Sequence, residues 1–172
     1  MIKPTTRNTI EIFEEISPDL ALRIKGMIDG FSKAGTPTLT VLINSKGGCI
    51  LSGLSIFEAI KGYKGNTVGR VVGVAESMAV IVLQACKERH CCKTGHILIH
   101  HMRPSFNALS NFKTDKEEEA YFAELERHND IVLGILSERT KKPRSMISIQ
   151  CDTDKPLSPK KAIRLNLIDL ID

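Results

Sequence analysis

Gly73-Val74-Ala75-Glu76-Ser77-Met78-Ala79-Val80 decides how this chain is read. A short apolar run, Val71 to Val74, breaks at a corner of small residues and restarts as a helical pattern headed by Ser77. Such a corner lifts a hydroxyl to the rim of a sheet, beside the free backbone N–H groups of the next helix. A serine there can attack a carbonyl, and the helix dipole favours the negative charge that develops. An N-cap role would by itself account for a lone serine at this position. Two further segments shift the reading towards chemistry.

Around the corner, strand and helix patterns alternate. Asn8 to Glu14 places Ile10 and Ile12 on one face of a strand. Ser17-Pro18 is an N-cap followed by proline at the first helical position, and the helix carries Leu20, Ile24, Met27, Ile28 and Phe31 on one face up to Gly35. Thr38 to Asn44 is a buried strand ending in the turn Ser45-Lys46-Gly47-Gly48, and a helix runs from about Ser52 to Tyr63. Thr67 to Val74 is the next strand, the Ser77 helix reaches about Lys87, and His96 to His101 is another strand. Asp115 to Arg139 is a long helix, acidic at its start, with Phe122, Leu125, Ile131, Leu133 and Leu136; it would span roughly 35 Å. A helix of that length suits packing against a partner chain, with His128 as a surface or inter-subunit residue. A short helix near Pro143 to Ile149, a second cap-plus-proline start at Ser158-Pro159 and a final strand Leu167 to Ile171 follow. Buried strands alternating with helices predict parallel α/β layers in a single domain over residues 1–172.

Composition narrows the function classes. The 172 residues are long enough for a substantial core, and 42% hydrophobic content describes a globular chain. The net charge is only +4, and the basic groups Lys141, Lys142, Arg144 and Lys160, Lys161, Arg164 flank helix ends. With six phenylalanines, two tyrosines and no tryptophan, none interleaved with those groups, nucleic-acid binding is not expected. No stretch approaches the roughly 20 apolar residues of a membrane span, and Met1 to Arg7 holds no apolar signal core. Five cysteines, an odd number with two adjacent, do not make a disulfide framework, so a reducing cytoplasm is the expected location.

Ile43-Asn44-Ser45-Lys46-Gly47-Gly48 is the first supporting segment. Two glycines past a buried strand let the main chain approach a ligand and aim an N–H inward, as an oxyanion donor would. The spacing fits neither a P-loop nor a dinucleotide loop. Ile97-Leu98-Ile99-His100-His101-Met102 is the second, because a histidine ending a buried strand suits a general base. His100 and His101 would point to opposite faces, so at most one serves. Asp152-Thr153-Asp154 then offers a carboxylate to hold the imidazole's other nitrogen.

Taken together, "INSKGG", "AESM", "LIHHM" and "DKPLSPKKAIRLNLID" resemble, in order, motifs of the proteolytic subunit of the Clp protease, a serine peptidase family of the crotonase-like α/β superfamily. The resemblance covers roughly residues 8 to 172. It implies repeated β-β-α units with a protruding handle helix, the handle region being about 103–140. Residue by residue, it implies Ser77 as nucleophile, His100 as general base and Asp154 as the residue orienting that base. Gly48 and Met78 would supply the oxyanion-hole N–H groups. The pieces Gly48 to Leu51 and His101 to Pro104 would hold a peptide as an added strand, so that Gly47, Cys49, Ile50, Leu51, His101 and Met102 line the substrate. The resemblance also implies a homo-oligomer of heptameric rings, stacked in pairs as a tetradecamer, that cuts unfolded polypeptides within a chamber. No cofactor and no metal are implied.

Some positions depart from the family pattern. Lys46 replaces a proline, His101-Met102 replaces Gln-Pro, and Lys161 and Asn166 stand for an acidic residue and a glycine. Asn tolerates the left-handed conformation that glycine would fill. Glu76 replaces a small residue directly before the nucleophile, bringing a carboxylate near the oxyanion hole, where negative charge disfavours the transition state. The family's axial loops and first helix, which help dock a ring-shaped AAA+ unfoldase, have almost no counterpart before Asn8, and no nucleotide motif is present.

Three readings compete. A serine endopeptidase ring leads. A catalytically silent ring subunit is second, kept alive by Glu76. A crotonase-type acyl-CoA enzyme is third, since it leaves Ser77, His100 and Asp154 unexplained. His90, Cys91, Cys92 and His96 lack zinc-knuckle spacing, so a structural zinc is not expected. Cys49 reads as a small apolar residue that a thiol reagent could reach.

Overall fold

Alternating apolar residues build a parallel sheet. β1 (Thr9–Ile12) buries Ile10 and Ile12, and β2 (Leu39–Ser45) buries Leu39, Val41, Ile43 and Ser45. β3 (Thr67–Glu76), β4 (Glu88–Cys91), β5 (His96–Leu98) and β6 (Leu170–Ile171) complete it in the order β1-β2-β3-β4-β6, with β5 also on β3. Every one of these pairings is parallel. The computed structural model describes residues 8–104 and 112–172, and contacts divide them into two units. One runs to Ile99 and resumes over Lys155–Asp172; the other is His100–Asp154.

β3 is the element that positions the serine. Its ten residues serve two neighbours in turn: Val68–Val71 pair with β4, and Val74–Glu76 pair with β5. Against β2 the register slips, since Ile43 faces Val71 whereas Ser45 faces Ala75. Gly73 makes that bulge feasible, because a Cβ there would lie 2.3 Å from Asn44 Oδ1. Asn44 Oδ1 in turn accepts the Val74 N–H at 3.1 Å. The strand therefore continues through the expected break at Val74 and ends at Glu76.

The helices of the first unit are α1 (Pro18–Lys33), α2 (Ile50–Gly62) and α3 (Met78–Gln84), with α6 (Pro159–Arg164) near the end of the chain. Ser17 caps α1 as expected, accepting the Leu20 N–H at 3.2 Å. Leu20, Ile24 and Ile28 are buried beneath it, whereas Met27, expected on the same face, is exposed. Ser158 occupies the N-cap of α6 without a side-chain capping bond. Every residue of α3 is buried.

α3 stops at Gln84, short of Lys87, and Glu88–Cys91 forms a strand that the polar sequence hides. Arg89 on that strand is buried and satisfied by Asp169 Oδ2 (3.0 Å), Gln84 Oε1 (2.7 Å) and the Asn166 carbonyl (2.9 Å). Asn166 adopts the left-handed conformation, φ 56°, anticipated for it.

The second unit holds α4 (Asp115–Thr140) and α5 (Arg144–Thr153), which pack together. Thr114 caps α4 through the Glu117 N–H at 3.2 Å, and Asp115, Glu117 and Glu118 suit the positive end of its dipole. His128 is buried rather than at the surface, 3.3 Å from Glu124 Oε1. Phe122, expected in the apolar pattern, is exposed. α5 runs past Ile149 and ends at Asp154, whose φ of 49° is left-handed.

Candidate active site

Ser77 sits where β3 turns into α3, at φ 54° and ψ −126°. A positive φ on a residue with a Cβ costs about 1–3 kcal/mol and persists only where surroundings enforce it. Its N–H donates to the Leu98 carbonyl at 2.8 Å. Although Ser77 is the N-cap of α3, its hydroxyl makes no capping bond. The capping role that would have explained a lone serine is therefore not exercised.

The glycine turn packs directly against this corner. Gly47 has φ 93°, and a Cβ there would meet Glu76 O at 2.8 Å and both Met78 N and Ser77 Cβ at 2.9 Å. Gly48, at φ 146°, presses on Ile16, where a Cβ would lie 2.4 Å from the carbonyl oxygen. Ile16 donates its N–H to Gly47 O at 2.8 Å and accepts the Cys49 N–H at 2.7 Å, forming a parallel bridge centred on Gly48. In such a bridge the central residue's own N–H faces the other way. Neither the Gly48 N–H nor the Met78 N–H has an acceptor among the described residues. Ser45 steadies the turn, donating to Glu14 O at 2.6 Å and accepting the Gly47 N–H at 3.2 Å. A cleft of about 390 Å³ opens beside it, lined by Phe13, Glu14, Lys46, Gly47 and Gly48.

Extended backbone after the turn is shorter than expected. α2 begins at Ile50, so Ile50 and Leu51 are helical, and with the Cys49 N–H bound to Ile16 and its carbonyl to the Gly53 N–H, Gly48 is what is left as a strand-like edge. Cys49 is exposed at the head of α2. Burial raises its thiol, but hydrogen bonds from the Ser52 side chain and from the Ser52 and Leu51 backbone outweigh that and hold it below the ordinary value.

Glu76 is engaged, with Oε1 2.7 Å from His96 Nε2. The carboxylate expected near the oxyanion hole is thus held by an imidazole. His90 lies on β4 with Nδ1 3.3 Å from Asp172 Oδ1. Burial, with the nearby Cys92 and Asp172, pushes the Cys91 thiol up to about 12. The described residues contain no cluster able to hold a metal ion.

In the second unit, β5 has ended before His100 and His101, so a strand's alternating faces do not separate them. His100 Nδ1 lies 2.6 Å from the His101 carbonyl. A carbonyl can only accept, so Nδ1 carries the proton and Nε2 keeps its lone pair. His101 is engaged differently, with Nε2 3.2 Å from Asp152 Oδ1 and 3.3 Å from Ser148 Oγ. The Met102 N–H donates to Asn129 Oδ1 at 2.7 Å. Asp154 pairs with Arg103, and among the described residues no hydrogen bond joins it to His100. The expected contact between Asp154 and the imidazole is thus replaced by two others. Sequence reasoning missed Arg103, whose only signal was a cation three residues beyond the histidine.

Residues 6–172 match the family model described as Clp protease. The chain belongs to the Clp protease family. Similar members include the ATP-dependent Clp protease proteolytic subunit of Nephroselmis olivacea, 30% identical over 92% of this chain and 75% of that one. Another is the ATP-dependent Clp protease proteolytic subunit 1 of Prochlorococcus marinus, 31% identical over 92% of this chain and 80% of that one. A mutant ClpP1 from Listeria monocytogenes superimposes with a TM-score of 0.84 over 96% of this chain and 91% of its own, at 22% identity. The α/β fold expected from the motifs is therefore the Clp protease fold. No helix among the described residues is long and apolar enough to cross a membrane.

Proposed function

We propose that this chain is a serine peptidase that cleaves peptides and unfolded polypeptides, with Ser77 as nucleophile, His100 as general base and Asp154 as the carboxylate behind it. The observation that carries this reading is the pair of amides, Gly48 N–H and Met78 N–H, without an acceptor among the described residues, flanking a serine held at positive φ whose hydroxyl makes no capping bond. Ser77 Oγ attacks the scissile carbonyl and passes its proton to His100 Nε2, which returns it to the leaving amine. The two amides receive the oxyanion. His100 supports this role in the tautomer it holds, since the His101 carbonyl fixes the proton on Nδ1. Gly48, whose N–H faces away from Ile16, offers main chain against which a substrate could lie as an added strand.

The relatives are named as subunits, and we extend that to this chain as a homo-oligomeric ring, heptameric and paired, with the 26-residue α4 as the handle. Its five free thiols suit a reducing compartment such as the cytoplasm.

A fluorophosphonate tests the chemistry. It should label Ser77, fail on Ser77→Ala and label His100→Ala far more slowly. A correctly assembled particle left unlabelled would instead indicate a silent ring subunit. The native mass tests the assembly, and a monomer or dimer would remove the chamber.

A further inference from the structure

Three ties surround Ser77. Its N–H is bound to Leu98 O, Gly47 backs its Cβ, and Glu76 reaches His96. The first two are main-chain features that any serine at this corner would need. The third is made by side chains, and Glu76 stands where the family pattern has a small residue.

The register explains how the pair forms. Val74 faces His96 and Glu76 faces Leu98 across the parallel β3–β5 pair. Glu76 and Val74 share one face of β3, so Glu76 and His96 are diagonal neighbours. Both side chains are largely covered, with 22% and 33% exposed. The Glu76 carboxylate only accepts, so His96 Nε2 donates along the 2.7 Å contact. The contact spans the same two strands as the Ser77 N–H to Leu98 O bond, one residue away along β3.

We propose that the Glu76–His96 pair is a positioning clasp that fixes the rim of β3 on β5 and thereby the angle at which Ser77 and the Met78 N–H meet a substrate. Neither residue touches the reacting atoms. The clasp acts through Ser77, in place of the tighter packing that a small residue before the nucleophile would allow. Its effect falls on the chemical step, because misplacing a nucleophile lowers the rate without removing the surface that binds a peptide.

The inference rests on Ser77 being the nucleophile, so the test separates the two ideas. The rate of Ser77 labelling by a fluorophosphonate, and kcat and KM for a short peptide, are compared in the unsubstituted chain, Glu76→Ala, His96→Ala and Glu76→Gln. Glu76→Ala and His96→Ala should each label about tenfold more slowly and lose about tenfold in kcat with KM unchanged. Glu76→Gln keeps an acceptor for His96 and should recover most of the loss. Labelling of Glu76→Ala at the unsubstituted rate would overturn the clasp, as would Glu76→Gln being as slow as Glu76→Ala. Should Glu76→Ala not fold, His96→Ala carries the same comparison. If the unsubstituted chain is not labelled at all, the peptidase reading fails and the clasp with it.

Discussion

The surroundings of Ser77 and those of His100 are built in opposite ways. Around Ser77 the restraints other than the Glu76–His96 pair are backbone: two glycines at positive φ, a bridge to Ile16, a bulge at Gly73 and an N–H bound to Leu98. Among the described residues, His100 is held by the His101 carbonyl, and Asp154 sits in an exposed ion pair with Arg103. Backbone packed against backbone has one arrangement, whereas exposed side chains exchange partners at little cost. On the proposed function, the nucleophile half is therefore preset and the acid–base half adjustable.

The largest test of that contrast is removal of the base. If the proposed roles hold, His100→Ala should lower kcat on the order of 10⁶-fold, as loss of Ser77 would, because a nucleophile and its base act as a unit. Retention of more than a few per cent of kcat in His100→Ala would assign the base elsewhere.

Gly47→Ala strikes the preset half. Its Cβ would press on Ser77 Cβ and Met78 N at 2.9 Å. A displaced oxyanion donor costs about 10²–10³ in kcat, and that loss is expected with the base intact. Near-normal turnover would mean that the turn yields, and that the nucleophile half is no more rigid than the other.

Asp154→Asn sharpens the adjustable half. A carboxylate that alone sets the imidazole tautomer costs about 10⁴ when made an amide. Here the His101 carbonyl already holds the Nδ1 proton, so the loss in kcat should stay well below that. A fall of about 10⁴ would show that Asp154 displaces the carbonyl during turnover. Arg103→Ala has the smallest effect. It frees Asp154 from an exposed pair worth under about 1 kcal/mol, so kcat should rise by no more than about fivefold. A decrease would make Arg103 part of the productive arrangement.

Much of the preset half was legible in the chain itself. Gly47 and Gly48 announce positive φ because no other residue takes it freely, and Ser17-Pro18 announces a helix start because its bonds are local. Asn166 could be assigned a left-handed turn for the same reason. β4 was not legible, since Glu88, Arg89 and His90 look like surface residues. Arg89 is buried only because Asp169 and Asn166, 80 and 77 residues away, complete its hydrogen bonds.

Apart from β4, the sequence by itself determined the order of strands and helices, the serine corner, the glycine turn and the family, because each is carried by neighbouring residues or by motifs in register. The tertiary structure alone decided that β3 pairs with two strands in turn, that Glu76 meets His96, that His101 takes Asp152, and that Asp154 rests on Arg103. Those are choices among several chemically acceptable partners. Backbone register and packing select one of them, and neither quantity is written in any short stretch of chain.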